Sequence, residues 1–303
     1  AETCGVAPTL PLPEIQIFGG GAHAGRRVDI QDFMVMVPGA GSFAEALDVT
    51  AEIYRAAGAR LRARGRLAGV ADEGGWWPDF ASNEEALETL VAAISDTGEK
   101  PGDRVVISLD VAASELGSAG RYRLSLDGSE LDTAGMIDQL GRWLDAYPIA
   151  SIEDPLAEDD AAGIAEFTAR YGKRVQVIGD DYLVTNARLV SQAAADGAAN
   201  AVLIKVNQAG TVTEAFQCIE AARKAGYRAI VSARSGETED VSISHLSIGL
   251  ATGQLKVGSF SRTDRMAKWN ECLRIEEVLG KGAFVGGRPL SDTWWGLRSG
   301  AST

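Results

Sequence analysis

The sequence predicts an α/β fold, a TIM-like (β/α)8 barrel, on three observations. From about residue 100 onward, short apolar runs alternate with longer amphipathic stretches, the pattern of βα units around a parallel sheet. Each run ends in a reactive polar residue: Asp110, Glu153, Asp180, Lys205, the Ser232-Ala233-Arg234-Ser235 stretch, and Lys256. From Glu153 the intervals between these endings are 27, 25, 27 and 24 residues, one βα unit each time. In a closed barrel the carboxyl ends of the strands converge on one mouth. The period therefore places three carboxylates and two lysines around a single cavity.

Val28–Val37 reads as an extended strand, and Phe43–Arg64 and Glu84–Ile94 as helices. The later runs, Arg104–Leu109, Ile149–Ile152, Val175–Ile178, Ala201–Ile204, Ala229–Val231 and Gln254–Val257, are rich in Val, Ile and Leu, as strands covered on both faces are. Between them Thr133–Ala146, Ala161–Tyr171, Thr211–Ala225 and Thr238–Leu250 read as helices. Thr185-Asn186 reads as the start of another, and Gly226 suits a C-cap. Six βα units and two earlier elements complete eight strands. We divide the chain into a barrel domain, 1–280, and a loop-like tail, 281–303.

Of 303 residues 46% are hydrophobic and 23% charged, and 42 acids against 29 bases leave a formal charge of −13. This excludes the basic footprint of a nucleic-acid binder. No apolar run reaches a membrane span, and Ala1-Glu2-Thr3-Cys4 has no signal-peptide character. Three dispersed cysteines, Cys4, Cys218 and Cys272, form neither a zinc motif nor a disulfide framework, so a cytoplasmic location is expected.

Three carboxylates without His or Cys make an all-oxygen site that suits Mg2+. A lysine beside a divalent cation and a second lysine loses basicity and can accept a proton. One acid at one strand end is most simply a buried ion pair; six polar endings in register are not. Two further acids lie early, Asp32 and Glu73. The Gly74-Gly75 pair permits a tight turn that aims Glu73 inward. His23 sits in a Gly-rich loop that lacks the strand and helix of a dinucleotide fingerprint. His245, inside a helix, reads as structural or solvent-facing.

Several segments then match a family. Gly21-Ala22-His23-Ala24, Asp29-Ile30-Gln31-Asp32-Phe33-Met34, Asp72-Glu73-Gly74-Gly75 and Leu109-Asp110-Val111-Ala112-Ala113-Ser114-Glu115 resemble enolase segments. So do Ser151-Ile152-Glu153-Asp154-Pro155, Gly179-Asp180-Asp181, Leu203-Ile204-Lys205-Val206-Asn207-Gln208, Ser235-Gly236-Glu237-Thr238-Glu239-Asp240 and Leu273-Arg274-Ile275-Glu276-Glu277. The resemblance runs in order from about Leu12 to Leu279. It implies the enolase type of barrel, here without the family's usual N-terminal α+β domain, and a homodimer.

The resemblance also implies a lyase that removes the C2 proton of 2-phosphoglycerate and expels water to give phosphoenolpyruvate. Asp110, Glu153 and Asp180 are then Mg2+ ligands and Lys205 the base. Lys256 pairs with the substrate carboxylate. Glu73 helps the C3 hydroxyl leave, with His23 and Asp32 at the same end, and Arg234 and Ser235 bind phosphate. Three positions depart from the pattern: Asp32 stands where enolases have Glu, Ala233 where they have His, and Trp76-Trp77 where they have small residues. The first two touch the leaving-group end. They admit an alternative, a carboxyphosphonoenolpyruvate synthase of phosphonate antibiotic (phosphinothricin-type) biosynthesis. The expected partner is a small phosphorylated or phosphonate carboxylate, with no nucleic acid and no membrane.

Overall fold

Eight strands close on one another in the computed structural model, which describes residues 5–300. They are β1 (Leu12–Gly19), β2 (Asp32–Met36), β3 (Val106–Asp110), β4 (Ile149–Glu153), β5 (Gln176–Gly179), β6 (Ala201–Ile204), β7 (Arg228–Ser232) and β8 (Gly253–Gly258). β1 pairs with β8 to close the ring. The helices outside are α1 (Phe43–Ala63), α2 (Asn83–Asp96), α3 (Thr133–Ala146), α4 (Ala161–Tyr171), α5 (Ala187–Asp196), α6 (Val212–Ala225), α7 (Ser242–Gly249) and α8 (Thr263–Leu279). The expected barrel is therefore present.

The ring is not uniformly parallel. β2 runs antiparallel to both β1 and β3, because a short loop rather than a helix joins β1 to β2. For a reversed strand the first residue lies at the mouth. Asp32, which opens β2, stands in register with Gly19 at the end of β1 and Asp110 at the end of β3.

Local chemistry explains the helix starts. Ser42, Ser82 and Thr211 accept from the backbone N–H of Glu45, Glu85 and Glu214, the Ser/Thr-x-x-Glu pattern that satisfies otherwise orphaned donors. Asn186 caps α5, and Gly226 ends α6 at φ 75°. At a distance of more than 200 residues, Glu276 accepts from Phe43 N (2.7 Å) and Ala44 N (3.0 Å), so α8 supplies the anion at the start of α1. His245 is mostly exposed and lies 3.0 Å from Glu271.

The main core lies between strands and helices and includes Phe33, Phe43, Trp143, Phe167 and Trp269. Inside the ring a smaller apolar group, Ile178, Ala201, Leu203 and Ile230, shares the space with buried Glu14, Gln16, Ser108, Gln176 and Gln254. Gln176 and Gln254 exchange amide hydrogen bonds of 2.7 and 3.0 Å, as buried polar groups must.

Beyond Leu279 the chain forms short helical turns and a final helix, Trp294–Ser299. It packs under the ring: Leu290 is buried, Trp294 Nε1 donates to Ile149 O (2.7 Å), and Leu10 bridges Phe284. Cys4 lies outside the described residues; Cys218 and Cys272 are free and buried. Among the described residues no helix is long and apolar enough to cross a membrane.

Candidate active site

The mouth holds a cavity of about 370 Å3, lined among others by His23, Glu73, Asp110, Asp180, Lys205, Arg234, Ser235 and Lys256. A larger groove of about 770 Å3 runs along the ribbon 117–132. Among the described residues no buried charges meet there; they meet at the mouth.

Lys256 stands in β8 opposite Ser232 of β7 and Glu14 of β1. Its ammonium lies 2.8 Å from Asp110 Oδ2, 2.7 Å from Glu153 Oε2 and 3.8 Å from Asp32 Oδ2. Lys205 pairs with Asp180. Gln31 donates to Asp110 (3.2 Å) and Gln208 to Asp180 (3.4 Å). Asp154, held at φ 40°, accepts from the backbone of Asp180 (2.9 Å) and Asp181 (2.8 Å), which steadies the end of β5.

The charges do not balance. Asp32, Asp110, Glu153 and Asp180 face Lys205, Lys256 and, beside Asp32, His23. Burial disfavours the Asp110 carboxylate, but Lys256 outweighs it and lowers its pKa. Glu153 is pushed well up by burial and then by the charge of Asp110. Two buried carboxylate oxygens, Glu153 Oε1 and Asp32 Oδ2, have no hydrogen-bond partner. Surplus acid with unpaired oxygens fits a divalent cation.

The cation groupings differ from the expected one. Two sets offer ligand atoms within 4.8 Å of one another: His23, Asp32 and Glu73; and Asp154, Asp180 and Asp181. Asp110, Glu153 and Asp180 do not form such a set among the described residues. Lys256 sits between the first two, and Lys205 draws the third aside. The same contacts bear on basicity. Burial favours neutral Lys205, but Asp180 and Glu153 outweigh it and raise its pKa. The bare amine that a base needs requires those acids to be engaged elsewhere.

The side of the mouth that carries His23, Asp32 and Glu73 is stitched by backbone. Asp72 N donates to His23 O (3.2 Å), and Ser259 N to Glu73 O (2.8 Å). Gln16 bonds Asp32 with its amide and accepts from Gly75 N (2.8 Å). His23 Nδ1 lies 3.5 Å from Asp32 Oδ1. Burial opposes the imidazolium, but Asp32, then Glu73 and Asp110, hold its pKa at about 9. Burial, then Asp32, raises Glu73. Trp76 and Trp77 lie in the second strand of a hairpin, Leu67–Val70 with Trp76–Pro78; Trp76 stacks on Tyr54 at 4.4 Å, and Arg27 lies over Trp77 at 5.5 Å, so Trp77 buttresses the His23 loop.

The turn after Glu73 needs glycine. Gly74 has φ +93°, and a Cβ there would come 2.3 Å from Ser261 O. Gly74→Ala is expected to destabilise the protein by about 1–3 kcal/mol through backbone strain. An unchanged urea midpoint would refute this placement of the turn.

The candidate site residues read from the sequence, His23, Asp32, Glu73, Asp110, Glu153, Asp180, Lys205, Arg234, Ser235 and Lys256, all lie at this end of the barrel. Several that matter were not singled out: Glu14, Gln16, Asp154, Arg265 and Lys268. Arg265 and Lys268 are wholly buried on α8, although their spacing looks like that of ordinary surface helix charges. Glu14 is buried against Ser108, and burial, partly offset by Lys256, raises its pKa. Residues 7–293 match the family model described as the enolase C-terminal TIM barrel domain, and the chain belongs to that family.

Proposed function

We propose that the mouth is the active site of a Mg2+-dependent lyase that converts 2-phosphoglycerate to phosphoenolpyruvate and water. The supporting observation is the meeting of two lysines with surplus buried carboxylate in one small cavity of an enolase-family chain.

Asp110, Glu153 and Asp180 would hold the ion, an all-oxygen set. When bound, it neutralises the charge that develops on the substrate carboxylate and competes with the lysines for their acids. Lys256 is enclosed, and its pKa stays well raised: burial opposes this, but Asp110, Glu153 and Asp32 outweigh it. It remains a cation and pairs with the substrate carboxylate, where the dianion forms. Lys205 lines the cavity with part of its side chain exposed and takes the C2 proton on Nζ. The C–H electron pair passes into the carboxylate. It returns to form the C2–C3 double bond as the C3–O bond breaks. Glu73, whose raised pKa keeps a proton available, protonates the departing hydroxyl beside His23 and Asp32. Arg234 and Ser235 at the rim take the phosphate, Arg through its two-pronged donor geometry.

The test is the ultraviolet absorbance of phosphoenolpyruvate after 2-phosphoglycerate and Mg2+ are added. Turnover that Mg2+ removal abolishes is the expected result. No product at any Mg2+ concentration would sink the reading. Asp32, locked to Gln16, and Ala233 at the rim favour a second reading, carboxyphosphonoenolpyruvate synthesis. It expects turnover with a phosphonate substrate and none with 2-phosphoglycerate.

A further inference from the structure

The stretch 234–238, between β7 and α7, is gripped from behind by two buried cations. Arg265 Nη1 donates to the carbonyls of Arg234 (2.6 Å) and Val257 (3.0 Å), and Nη2 to that of Ser235 (2.6 Å). Lys268 Nζ donates to Thr238 O (2.7 Å) and Asp264 O (3.0 Å) and lies 3.1 Å from Glu237. Both side chains are 0% exposed. A buried guanidinium is costly unless its donors are used. Among the described residues only Asp264, 2.9 Å from Nε and without a hydrogen bond to it, offers it a carboxylate; the Nη donors hold main-chain carbonyls.

A trans peptide is planar, so one residue's C=O and the next residue's N–H point opposite ways. With the Arg234 and Ser235 carbonyls aimed at Arg265, the N–H groups of Ser235 and Gly236 turn away from it, out of the core. Neither has an acceptor among the described residues. Arg234 and Ser235 line the mouth. Two consecutive amides without an acceptor, beside an arginine, leave donors free for an anion. Val257, the third carbonyl in the grip, follows Lys256 in β8, so one guanidinium ties this stretch to the strand that carries Lys256.

We propose that Arg265 is a positioning residue: it aims the Ser235 and Gly236 amides at the substrate's phosphoryl group and holds them in register with Lys256. The inference rests on the reading of the mouth given above and adds a residue that never touches substrate.

The experiment combines amide NMR of the whole chain, titrated with inorganic phosphate, with steady-state kinetics of Arg265→Lys. Phosphate is expected to shift the Ser235 and Gly236 amides of the unmutated protein. In R265K, phosphate affinity should fall and KM rise by about tenfold through loss of the charge-assisted fork. The turnover number at saturation should stay within about threefold, because a ground-state grip is what is lost, and Mn2+ affinity should be unchanged. R265K with unaltered phosphate affinity and KM overturns the proposal, as does a parallel loss of KM, turnover and Mn2+ binding, the mark of a merely structural role. If R265K fails to fold, Asp264→Asn, which removes the carboxylate beside Nε and its contact with Arg262 but leaves the Nη donors on their carbonyls, should raise KM in the same direction, and an unchanged KM overturns the proposal. Turnover of 2-phosphoglycerate without amide shifts overturns this inference alone. Amide shifts lost in R265K, without turnover, sustain it while the proposed reaction falls.

Discussion

Lys205→Ala is expected to lower turnover by about two to four orders of magnitude, the usual contribution of a positioned base, and to abolish exchange of the substrate's C2 hydrogen with solvent. The geometry sets the terms. Lys205 reaches Asp180 and Glu153 acts on it, so its amine is held protonated by these acids. As the proposed base it would act only when those acids are engaged elsewhere, which would link its action to the cation. The informative pair of measurements is C2 hydrogen exchange and Mn2+ binding. Loss of exchange with binding retained supports the assignment. Exchange at the unmutated rate refutes it and moves the base role to another group at the mouth.

Lys256→Met is the second large effect, and it falls on stability. The substitution keeps the volume but removes the cation among Asp110, Glu153 and Asp32. Breaking a buried pair costs about 3–5 kcal/mol because the remaining charge is uncompensated. The chain without divalent ion is expected to lose about that much. Added Mg2+ should then raise the melting temperature of K256M more than that of the unmutated protein, since an ion that binds only the folded state stabilises it by mass action. Equal Mg2+ shifts in the two proteins would show that Lys256 and the ion do not share these carboxylates.

Much of this site was legible in the sequence because parallel strands end at one mouth. A reactive residue at each apolar run's end is then enough to place Asp110, Glu153, Asp180, Lys205 and Lys256 together. The helices Thr133–Ala146 and Ala161–Tyr171 have the predicted bounds, since their caps and apolar periods are local. β1 was not read as a strand. Its sequence, Leu-Pro-Glu-Ile-Gln-Ile-Phe-Gly, carries Glu14 and Gln16 where an apolar run would be sought, because the inside of this ring is partly polar. Arg265 and Lys268 were missed for the opposite reason: charge on a helix normally signals solvent, and only packing shows that these two face inward.

Helix caps, the βα period and the chemistry at each strand end are short-range properties, and the amino-acid order alone determined them, together with the family resemblance they carry. The reversal of β2 that brings Asp32 to the mouth, the pairing of Lys256 with Asp110 and Glu153, and the grip of Arg265 on distant carbonyls were decided by the tertiary structure. These contacts span tens to hundreds of residues, and their strength depends on exclusion of water, a condition that exists only once the ring has closed.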